Sequence, residues 1–355
     1  MSLRIGARLV SVDTPLFVVA ELGLNHDGDV DLACQLVEAA AAAGASAIKL
    51  QTLRADRLMA NDSPAPIHVT SSIRERFAAF ELDEAAHGAI FATARHHNLA
   101  TMSTPLHDEA VELLERVGVD AYKIASGDLT NHRLIERAAA TGRPLVLSTG
   151  MAELFEVDAA LRCARGAGAT DIAVLHCVSA YPTPLSDQQL RAIRLLRERF
   201  DVPVGLSDHS RDPLAPFLAL ALGASIYERH LILDAAHAAI DAAVSSTPEA
   251  LRDVVVRAAD VQAALGREVK TCMAVEAGNR LPSRRSLYAA RALAPGERLD
   301  AGAIVALRPG GGLDPSRWRD LLGCQATRSI AAGERLVEAD VEPYREPYEE
   351  RREAV

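Results

Sequence analysis

A closed (β/α)8 barrel of the TIM type, followed by a small β-rich domain, is the α/β fold this sequence predicts. Three observations predict it: eight apolar, β-branched runs recur before residue 266, helix-like stretches separate them, and beyond residue 266 the pattern breaks into short runs divided by glycine turns. Near-continuous apolar strands alternating with helices indicate parallel strands buried on both faces. Eight such units fit one closed barrel. An open, doubly wound sheet is the alternative, but no GxGxxG follows the first run.

In chain order, RIGARLVS (4–11) reads as a hairpin closing the barrel floor. The strand-like runs are LFVVAEL (16–22), SAIKLQT (46–52), LATMST (99–104), DAYKIAS (120–126), PLVLSTG (144–150), DIAVLHC (171–177), VPVGLSD (202–208) and SIYERH (225–230). Helical stretches between and after them include DLACQLVEAAAAAG (31–44), DEAVELLERVG (108–118) and PEALRDVVVRAADVQAALG (248–266). The barrel domain is therefore 1–266. Residues 267–283, running on to 285, show no sustained period and read as a linker. RSLYAAR, AIVALR and RLVEADV, split by APGERLDAG, PGGG and AAGERL, predict the β-rich domain over 284–345. The charged tail 346–355 is expected to fray.

Bulk properties exclude several classes. A chain of 355 residues with 49% hydrophobic content can bury one large core and a smaller one. No 18-residue uncharged apolar run argues for a membrane span, and MSLRIGARLV lacks a signal peptide's apolar stretch, so a cytoplasmic location is expected. Five cysteines without CxxC fit reduced thiols rather than a disulfide framework or structural zinc. A net charge of −10 disfavours nucleic acid as partner.

Only three of the 38 basic residues are lysines, Lys49, Lys123 and Lys270. Two of them sit inside apolar runs, where a compact point charge differs in kind from arginine's fork. The competing reading is a packed stem with its head in water. On a barrel the strand C-termini form the active face. There the sequence puts Glu21, Asn25 and His26; Lys49 and Gln51; Ser103 and Thr104; and Lys123, Ser126 and Asp128. The later strands add Ser148 and Thr149; His176, Ser179 and Tyr181; Ser207, Asp208 and His209; and Glu228 and His230. Lys49 and Lys123 with Thr104, Ser126, Ser148 and Ser207 suit a phosphate or carboxylate. His209 and His230, beside Asp208 and Glu228, could share one divalent ion; with two imidazoles and otherwise oxygen, Mn²⁺ fits better than structural zinc.

AELGLNHDGD, AIKLQT, MSTP, AYKIASGDL, LSTGM, LHCVSAYPTP, GLSDH and ERH, in this order, resemble the sialic acid synthase family, which includes N-acetylneuraminate, legionaminate and pseudaminate synthases. RRSLYAAR and LRPGGG resemble that family's C-terminal antifreeze-like domain, a SAF domain of β-clip type. The resemblance implies condensation of phosphoenolpyruvate with an open-chain N-acylated hexosamine of the N-acetylmannosamine kind, giving a nine-carbon 2-keto acid and phosphate. It implies phosphoenolpyruvate contacts at Lys49, Thr104, Lys123, Ser126, Ser148 and Ser207, and metal ligation by His209 and His230, with Mn²⁺ and otherwise Mg²⁺ or Co²⁺. Glu21, Gln51, Tyr181 and Asp241 match residues around the sugar, and Asp128 an acidic residue near the reacting atoms. Glu21, Asp128 or water on the metal would then activate the attacking water. A homodimer with exchanged C-terminal domains is implied, Arg308 reaching the partner's sugar pocket. The chain departs from the family at Ser179, where some members have Asn, and in HLILDAAHAAIDAAVSS, where Ala242 follows Asp241 and no glycine precedes it. Two rival functions are a catalytically silent sugar-binding homologue and a Schiff-base pyruvate aldolase with Lys123 or Lys49 as nucleophile.

Overall fold

The computed structural model describes residues 1–60, 73–237 and 239–344. The expected tail at 346–355 lies outside the described residues. The chain divides into two compact units, Met1–Gly266 and Arg267–Val355.

The first unit opens with an antiparallel hairpin, β1 (Ser2–Ile5) and β2 (Arg8–Ser11). Eight parallel strands then close a barrel: β3 (Phe17–Gly23), β4 (Ala47–Thr52), β5 (Ala100–Pro105), β6 (Ala121–Ile124), β7 (Leu145–Ser148), β8 (Ile172–Cys177), β9 (Val204–Asp208) and β10 (Ile226–His230). β10 pairs with both β9 and β3, so no edge remains open. Helices run between and after the strands: α1 (Val30–Ala42), the short α2 (Ala55–Leu58) and α3 (Ile73–Ala78), α4 (Glu84–His96), α5 (Asp108–Val117), α6 (His132–Ala139), α7 (Leu154–Gly166), α8 (Ala192–Phe200), α9 (Ala215–Ala221) and α10 (Pro248–Leu265). Their starts are capped where the sequence supplies a short acceptor: Asp29 Oδ1 takes the N–H groups of Asp31 and Leu32, and Thr247 Oγ1 takes that of Ala250.

Side chains alternate across each strand, and this sets two cores. Val18, Ala20, Leu22, Ile48, Leu50, Tyr122 and Ile124 face outward into the layer between strands and helices. Phe17, Val19, Ala47, Met102, Ala121, Val146, Ala173, Leu175 and Ile226 fill the barrel, joined from below by Leu3, Ile5 and Val10 of the hairpin. The hairpin thus plugs the floor, as its pattern predicts. Among the described residues no helix is long and apolar enough to cross a membrane.

The second unit holds two small sheets, β11 (Ser286–Ala289) with β12 (Ile304–Leu307) and β13 (Gln325–Ala326) with β14 (Val341–Glu342), around a core of Leu287, Leu299, Leu313, Leu321 and Leu336. Two stretches carry local structure that their sequence pattern does not show. The stretch read as a linker contains a 3-10 turn (Ala274–Glu276), in which the Glu276 carboxylate accepts the Met273 N–H, and then a seven-residue helix, α11 (Ala277–Ser283); Pro282 obscured the helix because proline reads as a breaker. RLVEADV is not a continuous strand, since Glu338–Asp340 forms a 3-10 turn in which Asp340 Oδ2 accepts the Val337 N–H.

Candidate active site

The barrel interior is apolar at the N-terminal ends of its strands and charged at the other. The same inward faces that carry Phe17, Ala47, Ala121 and Ile226 carry Glu21, Lys49, Lys123 and Glu228 one or two positions of the alternation later. Glu228 is the hub: its Oε1 accepts from Lys123 Nζ at 3.0 Å and from Ser207 Oγ at 2.8 Å, while its Oε2 lies 3.4 Å from Lys49 Nζ. Lys49 Nζ also lies 3.1 Å from Glu21 Oε2 and 3.5 Å from Thr104 Oγ1, and Gln51 Nε2 donates to Glu21 Oε1 at 2.9 Å. Both lysine heads are buried in ion pairs; Lys123 is 3% and Lys49 5% exposed. The packed-stem reading of these lysines is therefore withdrawn.

Burial disfavours both ammonium groups, and the two respond differently. At Lys49 it is outweighed by Glu21 and Glu228, which raise the pKa. At Lys123 it wins, with Lys49 adding repulsion, and the pKa falls below the ordinary lysine value despite Glu228. Burial would raise Glu228, yet Lys123 and Lys49 hold it well below the carboxylate range. The cluster sets two lysines against two carboxylates in a buried pocket. Glu21 Oε2 and Glu228 Oε2 are buried there with only their ion pairs to Lys49, and Ser148 Oγ is buried without a hydrogen bond among the described residues. Buried polar atoms left in that state are a ready surface for a polar ligand.

His209 and His230 lie on the same inner rim with ring centroids 5.6 Å apart. His209 Nδ1 meets the Val178 carbonyl at 3.3 Å, which places its proton there and leaves Nε2 as the lone-pair nitrogen. Burial, reinforced by His230, lowers its pKa to about 3, so the ring is neutral and competent to ligate. His230 Nδ1 makes no hydrogen bond, although Asp241 Oδ2 is 3.4 Å away. The donor set fits one divalent ion only with help, because among the described residues no three His, Cys, Asp or Glu side chains gather for a metal. Substrate or solvent oxygens would complete the shell.

Asp241 is carried to this rim by a loop tied to β3. Its Oδ2 accepts weakly from the Leu24 N–H at 3.4 Å, Ser245 Oγ donates to its carbonyl at 2.7 Å, and Asn25 Nδ2 donates to Ser245 Oγ at 2.8 Å. Gly23, at φ 54, makes the approach possible: a Cβ there would stand 2.8 Å from both Asp241 Oδ2 and His230 Nδ1. Tyr181 packs against His209 with ring centroids 4.2 Å apart and planes tilted by 43°. Ser126 Oγ accepts the Gly150 N–H at 2.9 Å. Asp128 stands apart in the turn after β6, where Asn131 Nδ2 meets it at 3.4 Å and burial raises its carboxyl pKa. Arg308, in the second unit, is exposed just beyond β12.

Four members of the expected ring face the wrong way, because successive residues of a strand point to opposite sides. Ser103 Oγ bonds Thr52 Oγ1 and the Leu50 carbonyl, Thr149 Oγ1 donates to the Leu175 carbonyl, and His176 Nε2 meets the Gln188 carbonyl at 2.7 Å. Asp208 is the fourth: it accepts from Tyr227 OH at 2.9 Å and the Ser210 N–H at 2.8 Å, and pairs with Arg229 at 3.2 Å. It is a buried anchor between strands and not a neighbour of the histidine pair. His26 Nδ1 accepts the Gly28 N–H, its Nε2 is buried without a hydrogen bond among the described residues, and burial lowers its pKa to about 4. Asp208→Ala should destabilise the fold by about 3–5 kcal/mol, because it strands the Arg229 charge; urea denaturation reporting under about 1 kcal/mol would refute this.

Cys177 was not expected in the site. It faces inward, its Sγ 3.7 Å from His209 Nδ1 and within reach of Ser126 and Ser207, and burial raises its pKa. Its place was readable from the alternation, since Ala173, Leu175 and Cys177 share one face.

The sequence profile of the NeuB family matches residues 36–270, and that of the SAF domain residues 284–342. The chain is 33% identical to an N,N'-diacetyllegionaminic acid synthase of Campylobacter jejuni, covering 90% of this chain and 98% of that one. It is 34% identical to a pseudaminic acid synthase of Helicobacter pylori, covering 92% and 98%. The structure of an N-acetylneuraminic acid synthetase from Leptospira borgpetersenii in complex with citrate aligns with a TM-score of 0.73 at 30% identity, over 79% of this chain and 95% of that one.

Proposed function

Because this chain belongs to the NeuB family, we propose that it condenses phosphoenolpyruvate with an open-chain N-acylated hexosamine and water, giving a nine-carbon 2-keto acid of the nonulosonic type and phosphate. The observation that carries this reading is the pair of buried lysines bridged by Glu228 within a ring of hydroxyls. The synthase names of the relatives support the reaction class.

In this reading Lys49, Lys123, Thr104, Ser126, Ser148 and Ser207 bind the phosphate and carboxylate of phosphoenolpyruvate, whose oxygens take over the lysine contacts now made by Glu228. At an effective dielectric near 20, a unit-charge pair at 4 Å contributes about 4 kcal/mol before desolvation. Carbon 3 of phosphoenolpyruvate forms the new C–C bond to the sugar aldehyde, water adds at carbon 2, and the C–O bond to phosphate breaks. A divalent ion held by His209 and His230, Mn²⁺ or otherwise Mg²⁺ or Co²⁺, would supply Lewis acidity at the aldehyde oxygen. Gln51 orients Glu21, and Tyr181, Ser179 and Asp241 border the space left for the sugar. Glu21 or Asp128 accepts the proton of the attacking water; the raised pKa of Asp128 suits a group that must hold it. A phosphate-release screen over N-acetylmannosamine, its 6-phosphate and diacetamido-trideoxyhexoses tests the proposal. No release with any of them would leave the silent sugar-binding reading standing.

A second reading draws on the lowered pKa of Lys123, since an amine that sheds its proton suits Schiff-base chemistry with pyruvate. Borohydride trapping with pyruvate would support it; metal-dependent turnover without trapping would exclude it.

The working unit in this proposal is a homodimer in which Arg308 of one chain completes the sugar pocket of the other. Arg308→Ala should raise the sugar KM by about 10-fold or more, the loss expected for a charge-assisted hydrogen bond, and leave that for phosphoenolpyruvate within about 3-fold. Mixing it with an inactive Lys123 variant under subunit exchange should restore activity, since one hybrid site holds both intact parts. Exchange without restored activity would rule out the shared site.

A further inference from the structure

Two hydroxyls and a thiol converge on one glycine at the end of β7. A Cβ on Gly150 would stand 2.2 Å from Ser179 Oγ, 2.8 Å from Ser126 Oγ and 3.2 Å from Cys177 Sγ. Gly150 is not among the glycines with positive φ, so what the position demands is room and not left-handed backbone. Its N–H is also in use, donating to Ser126 Oγ at 2.9 Å. A hydroxyl has one proton, and an oxygen that accepts from the backbone through a lone pair keeps that proton free to give elsewhere. The Cys177 sulfur, inward-facing and within reach of both Ser126 and Ser207, is a weak acceptor for it.

We propose that Gly150 is a positioning residue of the phosphoenolpyruvate pocket: its N–H aims the Ser126 hydroxyl as a donor into the lysine cluster, and its missing Cβ keeps Ser126, Cys177 and Ser179 packed around that hydroxyl. In the ligand-free protein the Cys177 thiol is a neighbouring weak acceptor to which that donor can turn. A phosphate or carboxylate oxygen displaces this weak acceptor, because a hydrogen bond to an ionised acceptor is roughly twice as strong as one to a neutral group. The thiol thus fills the space without holding the proton against the substrate. The inference rests on the phosphoenolpyruvate reading above and deepens it.

The test compares wild type, Gly150→Ala, Ser126→Ala, their double variant, Ser179→Gly, and Gly150→Ala/Ser179→Gly, by calorimetric binding of phosphoenolpyruvate and of inorganic phosphate and by steady-state kinetics. Gly150→Ala should weaken phosphoenolpyruvate binding by about 10- to 100-fold, the cost of displacing a positioned group by about 1 Å, with the sugar KM within about 3-fold. In the Ser126→Ala background the same change should cost less than about 3-fold, because coupled residues are not additive. Ser179→Gly removes the nearest clash but leaves Ser126 Oγ 2.8 Å from the new Cβ, so it should restore the fold more than the binding. Unchanged phosphoenolpyruvate binding in Gly150→Ala, full additivity with Ser126→Ala, or equal effects on both substrates would overturn the inference. Should Gly150→Ala fail to fold, Gly150→Ala/Ser179→Gly compared with Ser179→Gly alone decides: unaltered phosphoenolpyruvate binding overturns the inference, and weakened binding with an unaltered sugar KM supports it. Wild type that binds neither phosphoenolpyruvate nor phosphate would instead remove the proposed function itself.

Discussion

Replacing either His209 or His230 with alanine is expected to lower turnover by at least about 100-fold while the fold persists. Each change removes one of two imidazoles from a rim where no three His, Cys, Asp or Glu side chains among the described residues gather for a metal, although Asp241 and Cys177 lie close by. The remaining ring cannot hold an ion in place with substrate and solvent oxygens alone. His209 is neutral because burial lowers its pKa to about 3, so its loss does not remove a charge on which the Lys–Glu cluster depends. Treating wild type with a chelator should give the same loss, and adding Mn²⁺ should reverse it in wild type but not in the variants. Phosphate release measures turnover, and circular dichroism with thermal melts reports the fold. Full activity in metal-free buffer would exclude the proposal.

The architecture was readable because a barrel repeats its signal eight times. Each strand was marked by an apolar run, and the runs met the observed strands to within a few residues, as for SAIKLQT against Ala47–Thr52. The site was legible to a lesser depth, since a strand end names the residues near the mouth without saying which way each points. Applying the two-residue period from a known interior position would have separated Ser207 and His209 from Asp208, and Cys177 from His176. Glu228 shows what sequence cannot supply: its role comes from contact with Lys49 on β4 and Lys123 on β6, which lie far away in the chain. Ser126 is similar, because its orientation is set by a backbone N–H of another loop.

The rarity of lysine in this chain acquires a physical cause at Lys123. Its Nζ is 3.0 Å from Glu228 Oε1 and 3% of the residue is exposed, so the pocket fits a compact ammonium on an unbranched stem. Arginine would keep the charge, yet its planar fork is larger and would need a second set of acceptors in the same space. Glu228 already serves Ser207 and Lys49 as well, and overpacking such a buried cluster displaces whichever partner is least constrained. Lys123→Arg is therefore expected to lose on the order of 100-fold in kcat/KM for phosphoenolpyruvate, the cost of misplacing a reacting group by about 1 Å. Lys123→Ala should be at least as impaired, and also less stable, because Glu228 would lose its closest counter-charge. Steady-state kinetics of the arginine variant across both substrates decide the matter. Near-wild-type values would mean that a positive charge alone is enough at this position, and that the shape of the lysine pocket plays no part in holding phosphoenolpyruvate.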